Sequence, residues 1–148
     1  MARFRRIVHP TDFSPASGAA FRNAVVLAKE NKATLVIVHV LPTLPMVADA
    51  YMAASAYDEM LRGHRRQAEK SMDRVARRAR AAGVRVTSHV VDFGAISDAI
   101  VRFAKRQRAD LIVMGTHGHG VLAKILLGSV AERVISHASA PVLTVRGR

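Results

Sequence analysis

The chain of 148 residues contains no cysteine and no tryptophan. The lack of cysteine excludes disulfide bonds and thiolate metal sites, which agrees with a reducing compartment. Aromatic residues make up only 5% of the chain, so stacking platforms for single-stranded nucleic acid are not evident. No apolar run approaches the roughly 18 residues that cross a bilayer, and Met1 to Arg6 lead into a strand-like segment rather than a signal peptide. We therefore expect a cytoplasmic protein without membrane contact.

Acidic residues are also scarce, because 11 Asp and Glu stand against 23 Lys and Arg and leave a net charge of +12 at pH 7. Such a chain should attract anions, including nucleotides, nucleic acids and acidic membrane surfaces. Many of the cations share one helical pattern with a single apolar stripe. We interpret this pattern as a solvated helix face in preference to a nucleic-acid surface. The cations are Arg62, Arg65, Arg66, Lys70, Arg74, Arg77, Arg78 and Arg80.

Half of the residues are apolar, which is enough for one sizeable core, so we expect residues 1–148 to form one domain. Short β-branched runs alternate with helical patterns, as is typical of a parallel α/β sheet with helices on both faces. The predicted strands are Ile7–Pro10, Thr34–Val40, Val84–Val91, Asp110–Gly115 and Pro141–Val145. The predicted helices are Pro15–Asn31, Tyr57–Ala82, Ala95–Arg108 and Ser129–His137.

Several boundaries and strand positions have physical causes. Ser14 before Pro15 predicts a helix start, since serine caps the first amides and proline needs no donor there. Gly83 predicts a left-handed end of the second helix. The third strand mixes polar and apolar residues and is predicted at an edge, whereas Leu111–Met114 is uniformly apolar and is predicted in the centre.

A glycine-rich segment follows the fourth strand and leads into the last helix. Glycine allows positive φ and close backbone approach, and the first amides of a helix attract negative charge, so the segment predicts a phosphate site. Ser129 adds a hydroxyl that can bond a phosphate and cap its own helix. The same glycines also suit an ordinary surface loop, and the sequence alone leaves that alternative open. The pattern G-x-x-x-x-G-K-[ST] and the nucleophile elbow G-x-S-x-G are both absent.

The spacing Gly115-x2-Gly118-x9-Gly128-Ser129 resembles the ATP-binding signature of the universal stress proteins, G-x2-G-x9-G-[ST]. The segments Ile7–Ser14 and Pro141–Val145 are similar to the first and last strands of that family. The resemblance implies an open, Rossmann-like sheet of five parallel strands in the order 3-2-1-4-5, of the adenine nucleotide alpha hydrolase-like type. The carboxyl ends of the first and fourth strands would then lie side by side, where ligands bind in such sheets.

The resemblance also implies a site. It places Thr11, Asp12 and Val40 at the adenine and ribose, and Gly115 near the ribose. The ligand would be ATP, with ADP and AMP as alternatives, and Mg²⁺ or Mn²⁺ would bind mainly through the phosphates. The cofactor-binding residues so predicted are Pro10, Thr11, Asp12, Val40, Met114, Gly115, His117, Gly118, His119, Gly120, Gly128, Ser129 and Val130. A homodimer through Val142–Val145 is implied as well.

Two histidines of the strands, His9 and His39, are interpreted as satisfied core or rim residues. A metal site of His9, His117 and His119 is a weaker alternative, because no carboxylate or cysteine completes it. For function we expect a regulatory protein that senses or stores ATP in the stress response, with at most slow ATP hydrolysis and no assigned catalytic residue. The alternative is an interaction module that uses the basic face and does not depend on nucleotide.

Overall fold

We describe the protein from a computed structural model, which describes residues 3–43, 54–92, 94–117 and 127–147. Strands and helices alternate in these ranges: β1 (Arg6–Pro10), α1 (Pro15–Asn31), β2 (Thr34–Val40), α2 (Ala54–Ala81), β3 (Arg85–Val91), α3 (Ile96–Arg106), β4 (Leu111–Gly115), α4 (Ser129–His137) and β5 (Val142–Val145). The strands form one parallel sheet in the order β3-β2-β1-β4-β5. The predicted fold class and strand order are confirmed, and each boundary lies within three residues of its predicted position.

The first helix begins as the sequence indicates. Ser14 is its N-cap, with its hydroxyl accepting from the Ser17 amide at 3.2 Å, and Pro15 occupies the first helical position. At the other end, Lys32 adopts a left-handed conformation, and its amide donates to the carbonyls of Ala28 and Lys29. Gly83 follows α2 with φ of +83°, which confirms the predicted left-handed end.

The helices cover both faces of the sheet because alternate strand residues are apolar on both sides. Ile7, Leu35 and Val113 pack with α1 and α2 in one core. Val8, Val36 and Ile112 pack with α3 and α4 in the other. Side chains of a strand alternate between the two faces, so each apolar strand contributes to both cores.

Strand position follows burial, as predicted. β4 lies between β1 and β5, and its first four residues are buried. β3 lies at an edge of the sheet and alternates between exposed and partly buried residues over its first half. In the described part of the chain, no helix combines the length and apolarity needed to span a bilayer.

The two central strands diverge at their carboxyl ends. β1 pairs with β4 over two register positions, Ile7 with Leu111 and Val8 with Ile112, but with β2 over five. Beyond this point the Thr11 amide donates to Val38 of β2, while the Thr116 amide donates to Val145 of β5. The chain therefore opens a crevice at the place where the strand order reverses, which is where open α/β sheets bind ligands.

Candidate functional site

A pocket of about 570 Å³ lies at the carboxyl ends of the central strands. Its volume falls within the range of about 300–1,000 Å³ that is typical of small-molecule sites. Ten residues predicted from the sequence line it together: Pro10, Thr11, Asp12, Val40, Met114, Gly115, His117, Gly128, Ser129 and Val130. The other three predicted residues, Gly118, His119 and Gly120, lie outside the described residues.

The β1 wall of the pocket is held by side-chain hydrogen bonds. Asp12 Oδ1 accepts from the Ser14 amide at 2.9 Å and from Ser17 Oγ at 2.7 Å. Thr11 Oγ1 accepts from the Phe13 amide at 3.1 Å. The Asp12 carboxylate thus lies at the amino end of α1, where the helix dipole favours negative charge. This wall presents an acidic group in a fixed orientation.

Phe13 has a backbone conformation that non-glycine residues rarely adopt. Its φ of +64° lies in the left-handed region and costs on the order of 1–3 kcal/mol. The Phe13 ring packs against His39 at 4.6 Å between centroids, and His39 Nδ1 donates to the Thr11 carbonyl at 2.7 Å. These contacts offset the strain, and His39 is a satisfied rim residue as predicted.

The β4 wall is held by close contact between backbones. The Gly128 amide donates to the Thr116 carbonyl at 2.7 Å, and a Cβ on Gly128 would lie 2.9 Å from that oxygen. A Cβ on Gly115 would lie 3.1–3.3 Å from Ala16, and one on Gly147 would lie 2.8 Å from the Ala16 Cα. A side chain at Gly128 or Gly147 would force backbone to move, and one at Gly115 would be tight, because the chain itself fills the space.

Two expectations about this wall are wrong. Gly128 has φ of −77° and Gly115 is not a positive-φ residue. Neither position therefore requires glycine in order to adopt a left-handed backbone conformation. Gly128 rather than Ser129 is the N-cap of α4, and no side-chain hydrogen bond caps that helix. The first amides of a helix have no partner within the helix, and residues 128–131 at the start of α4 line the pocket. The Gly128 amide is used by the Thr116 carbonyl, so the donors that this end of α4 offers to an anion are the amides that follow it, those of Ser129 and Val130.

His9 joins the two strands behind the pocket. Its ring is fully buried, and Nδ1 donates to the Val113 carbonyl of β4 at 2.8 Å. Burial lowers the pKa of His9 to about 4, although the Val113 hydrogen bond and the charge of Asp12 act in the opposite direction. The ring is therefore neutral at pH 7, with its proton on Nδ1. The core position is confirmed, but Nε2 has no hydrogen-bond partner among the described residues, so the ring is only half satisfied.

His117 lies at the end of β4, and its Nδ1 is 2.9 Å from Thr116 Oγ1. The alternative metal site of His9, His117 and His119 stays a prediction, because His119 lies outside the described residues. Across the described ranges, no three His, Asp or Glu side chains are grouped to hold a metal ion.

Sequence reasoning missed the side of the pocket that helices α2 and α3 supply. No local motif marks these positions, since only the packing of the helices onto the sheet brings them to the crevice. Ser17 had a usable signal, because it lies one helical turn after the cap Ser14. The lining residues outside the predicted set are Phe13, Ser17, Val38, His39, Leu41, Pro42, His64, Gln67, Ala68, Ser71, Ile96, Ile100, Thr116 and Ala131.

Comparison with known proteins agrees with this geometry. The family model described as the universal stress protein family matches residues 3–146. The chain belongs to this family. A curated member, universal stress protein MJ0531 of Methanocaldococcus jannaschii, is 36% identical over 143 residues, which cover 97% of this chain and 82% of the relative.

Solved members of the family share the fold. Universal stress protein UspA from Lactobacillus plantarum superposes with a TM-score of 0.83 at 26% identity, covering 99% of this chain and all of the other. A universal stress protein solved in complex with cAMP gives a TM-score of 0.66 at 26% identity, with the same coverage. The five-stranded architecture is therefore that of the family, and at least one member holds an adenine nucleotide.

Proposed function

We propose that this universal stress protein binds an adenine nucleotide, with ATP as the main ligand, in the crevice between β1 and β4. One observation carries the proposal: Asp12 and the amino end of α4, which the sequence separates by more than a hundred residues, line the same pocket. An acidic acceptor beside a helix start matches a ligand that has hydroxyl donors at one end and phosphates at the other. The family member solved with cAMP supports the same ligand class.

Each wall has a proposed role. The Asp12 carboxylate accepts a hydrogen bond from the nucleoside, and the apolar side chains of Val40 and Met114 contact the base. The amides of Ser129 and Val130 hold the phosphates, together with the predicted residues of the glycine segment, while Gly128, whose amide donates to Thr116, lets the backbone of α4 begin close to β4. Because a backbone amide donates without side-chain entropy, this arrangement suits a polyphosphate whose oxygens need several donors at once.

In this pocket a divalent cation would be bound mainly by the phosphate oxygens of the nucleotide and only in small part by the protein. Mg²⁺ prefers oxygen ligands and commonly takes one or two from the protein and others from phosphate and water. The Ser129 hydroxyl at the start of α4 is exposed and supplies such an oxygen beside the proposed phosphate position. We propose that Mg²⁺ or Mn²⁺ enters with the nucleotide and neutralises phosphate charge there.

The proposed role is regulatory, namely sensing or storing ATP in the stress response, with at most slow hydrolysis. Hydrolysis needs an oriented water and a base. The described side chains at the pocket that can accept a proton are Asp12 and three histidines, His39, His64 and His117, and Asp12 Oδ1 is already engaged by Ser14 and Ser17. The cytoplasmic location stays a prediction.

Calorimetric titration tests the proposal directly. Folded protein is titrated with ATP, ADP, AMP and cAMP, each with and without Mg²⁺, and we expect saturable heat for at least ATP with Mg²⁺. Circular dichroism on the same sample shows that the sheet is intact. Heats equal to the buffer control for all four nucleotides would refute nucleotide binding.

A homodimer through β5 is proposed as well. β5 is the other edge of the sheet, and Leu143 is 39% exposed on it. An open edge strand with an apolar side chain readily pairs with a second copy. Light scattering at micromolar concentration should give the mass of two chains, and Leu143→Lys should reduce it to one.

A further inference from the structure

The outward side of α2 carries a cation at every fourth position. We call this set the α2 cation row: Arg62, Arg66, Lys70, Arg74 and Arg78. All five side chains are exposed. Successive members lie about 6 Å apart along the axis, because the rise of an α-helix is 1.5 Å per residue. The row therefore covers about 24 Å along the axis of α2 and turns by about 40° around it at each step, because four residues at 3.6 per turn exceed one full turn.

The middle of the row, Arg66, Lys70 and Arg74, lies opposite the side of α2 that packs on the sheet, whereas Arg78 at the end of the row lies 5.0 Å from the ring centroid of Phe21. The opposite side of α2 packs on the sheet through Ala68, Met72, Ala76 and Ala79, all of which are buried. The pocket takes its α2 side chains from a third direction, at positions 64, 67, 68 and 71. The cations are thus not used by the proposed nucleotide site.

Few of the described carboxylates pair with the row, and the pairs that form are exposed, so another anion can replace them. Glu59 pairs with Arg62 at 3.8 Å and with Arg66 at 2.8 Å, and its side chain is 60% exposed. Such exposed pairs add little to stability and are screened by salt. In the part of the chain that the structure describes, no carboxylate pairs with Lys70 or Arg74; Arg74 donates to the Ser71 hydroxyl at 3.1 Å. The row can therefore accept another anion.

The residue types select the class of anion. Four of the five cations are arginine, whose planar guanidinium bonds phosphate through two parallel donors. From Arg62 to the end of α2 there is no Phe, Tyr or Trp, so unpaired bases find no stacking surface. The outward side also has no large apolar side chain to enter a bilayer.

We propose that the α2 cation row binds the phosphate backbone of duplex nucleic acid without reading its sequence. A duplex carries one phosphate charge per ~1.7 Å of its axis, so the ~24 Å that the row covers would face a dense array of about 14 phosphates. Duplex DNA and duplex RNA offer the same phosphate chemistry. The inference goes beyond nucleotide binding and does not depend on it.

Fluorescence anisotropy with a labelled 30-base-pair duplex, as DNA and as RNA, tests the proposal between 50 and 200 mM salt. Five phosphate contacts predict a slope of log K against log salt of about −4.5. The variant Arg66→Gln/Lys70→Gln/Arg74→Gln should bring the slope to about −2 and weaken binding on the order of tenfold or more. The matched control Arg102→Gln/Lys105→Gln/Arg106→Gln removes the same charge from α3 on the other face, and it should bind like the wild type.

Four outcomes would overturn the proposal. They are no duplex binding at 50 mM salt, equal losses in the two triple variants, tighter binding of single strands than of duplexes, and capture by phosphatidylserine vesicles in preference to duplex. A pocket variant separates the two sites. Ser129→Ala should bind duplex like the wild type, and a loss equal to that of the α2 variant would mean that the pocket takes the phosphates.

Discussion

The two walls of the pocket are built in different ways. The β1 wall depends on side chains, because Asp12, Ser14 and Ser17 hold one another by hydrogen bonds of 2.7–3.2 Å. The β4 wall depends on the absence of side chains, because Gly128 and Gly115 let backbone segments touch. A hydrogen-bonded wall should weaken in steps as single groups are removed, whereas a close-packed backbone should fail when a single group is added. The predictions below test this difference, in order of decreasing effect.

The largest effect is expected from Gly128→Val. Its Cβ would meet the Thr116 oxygen at 2.9 Å, so the start of α4 must move away from β4. We expect a loss of about 3 kcal/mol in the free energy of unfolding and a loss of ATP affinity of about tenfold or more. Denaturant unfolding and calorimetry measure the two quantities.

Two controls accompany this variant. Ser129→Ala removes only a hydroxyl at the same helix start, and it should change binding by about 0.5–1.5 kcal/mol. Gly63→Ala adds a methyl group inside α2, where the nearest atom of another residue is 3.9 Å away, and it should stabilise the protein by about 0.5–1 kcal/mol. An ATP affinity for Gly128→Val equal to that of the wild type would refute the close-packing account.

Asp12→Ala should have the next largest effect. It removes the acceptor of two hydrogen bonds and should lower the free energy of unfolding by about 1.5–3 kcal/mol, besides weakening ATP binding. Asp12→Asn keeps an oxygen at Oδ1 but replaces the charged second oxygen, an acceptor, with an NH2 donor. It should recover most of the stability but not the affinity, and full recovery of affinity would show that neither the charge nor the second oxygen of Asp12 has a role in binding.

The dependence of stability on acidic pH tests the protonation state of His9, which joins β1 to β4. The pKa of His9 falls from 6.5 in the unfolded chain to about 4 in the folded protein, so below pH 6.5 the unfolded state binds the proton first. Stability is complete above pH 6.5 and is lost as the pH falls towards 4. Protonation of His9 in the unfolded chain should therefore lower the free energy of unfolding by about 2 kcal/mol between pH 7.5 and pH 5.

His9→Gln isolates this contribution, because glutamine keeps an N–H donor and does not titrate. The fall in unfolding free energy between pH 7.5 and pH 5 should be smaller in the variant than in the wild type by that amount. Parallel curves for the two proteins would show that His9 is not a buried neutral imidazole.

Ser17→Ala should have the smallest effect. The hydroxyl lies between Asp12 Oδ1 and the Asp12 amide, at 2.7 and 3.3 Å, so its loss should lower the free energy of unfolding by about 0.5–1.5 kcal/mol. Ser136→Ala, an exposed serine that bonds a carbonyl of its own helix, should stay within about 0.5 kcal/mol of the wild type. An equal effect of the two substitutions would mean that the β1 wall gains nothing from Ser17.

The fold was readable from the sequence because its signals are local. The run Leu111–Met114 indicates a doubly buried strand, and Ser14 with Pro15 indicates a helix start, wherever the rest of the chain lies. The shared crevice of Asp12 and Gly115 followed from the strand order that the family resemblance implied. The structure confirms that order and brings both residues to one pocket.

Other features depend on contacts between distant segments and had no local signal. His64, Gln67 and Ser71 reach the pocket only because α2 packs across the sheet. Phe13, in the loop between β1 and α1, combines a left-handed conformation with a ring contact to His39 of β2, which no local pattern indicates. The requirement for glycine at position 128 was wrongly predicted to be a positive φ. The atom that excludes a side chain there belongs to Thr116, twelve residues earlier, and the local sequence does not indicate that contact.

The contact of Ala16 with Gly115 and Gly147 limits how the proposed site can respond to different ligands. A Cβ added to either glycine would lie 2.8–3.3 Å from Ala16, so the start of α1 packs closely against the ends of β4 and β5. Close-packed backbone of this kind is nearly incompressible. We therefore expect a rigid floor beneath the proposed ligand, so that adjustment to ligands of different size would fall to the side chains that α2 contributes to the pocket.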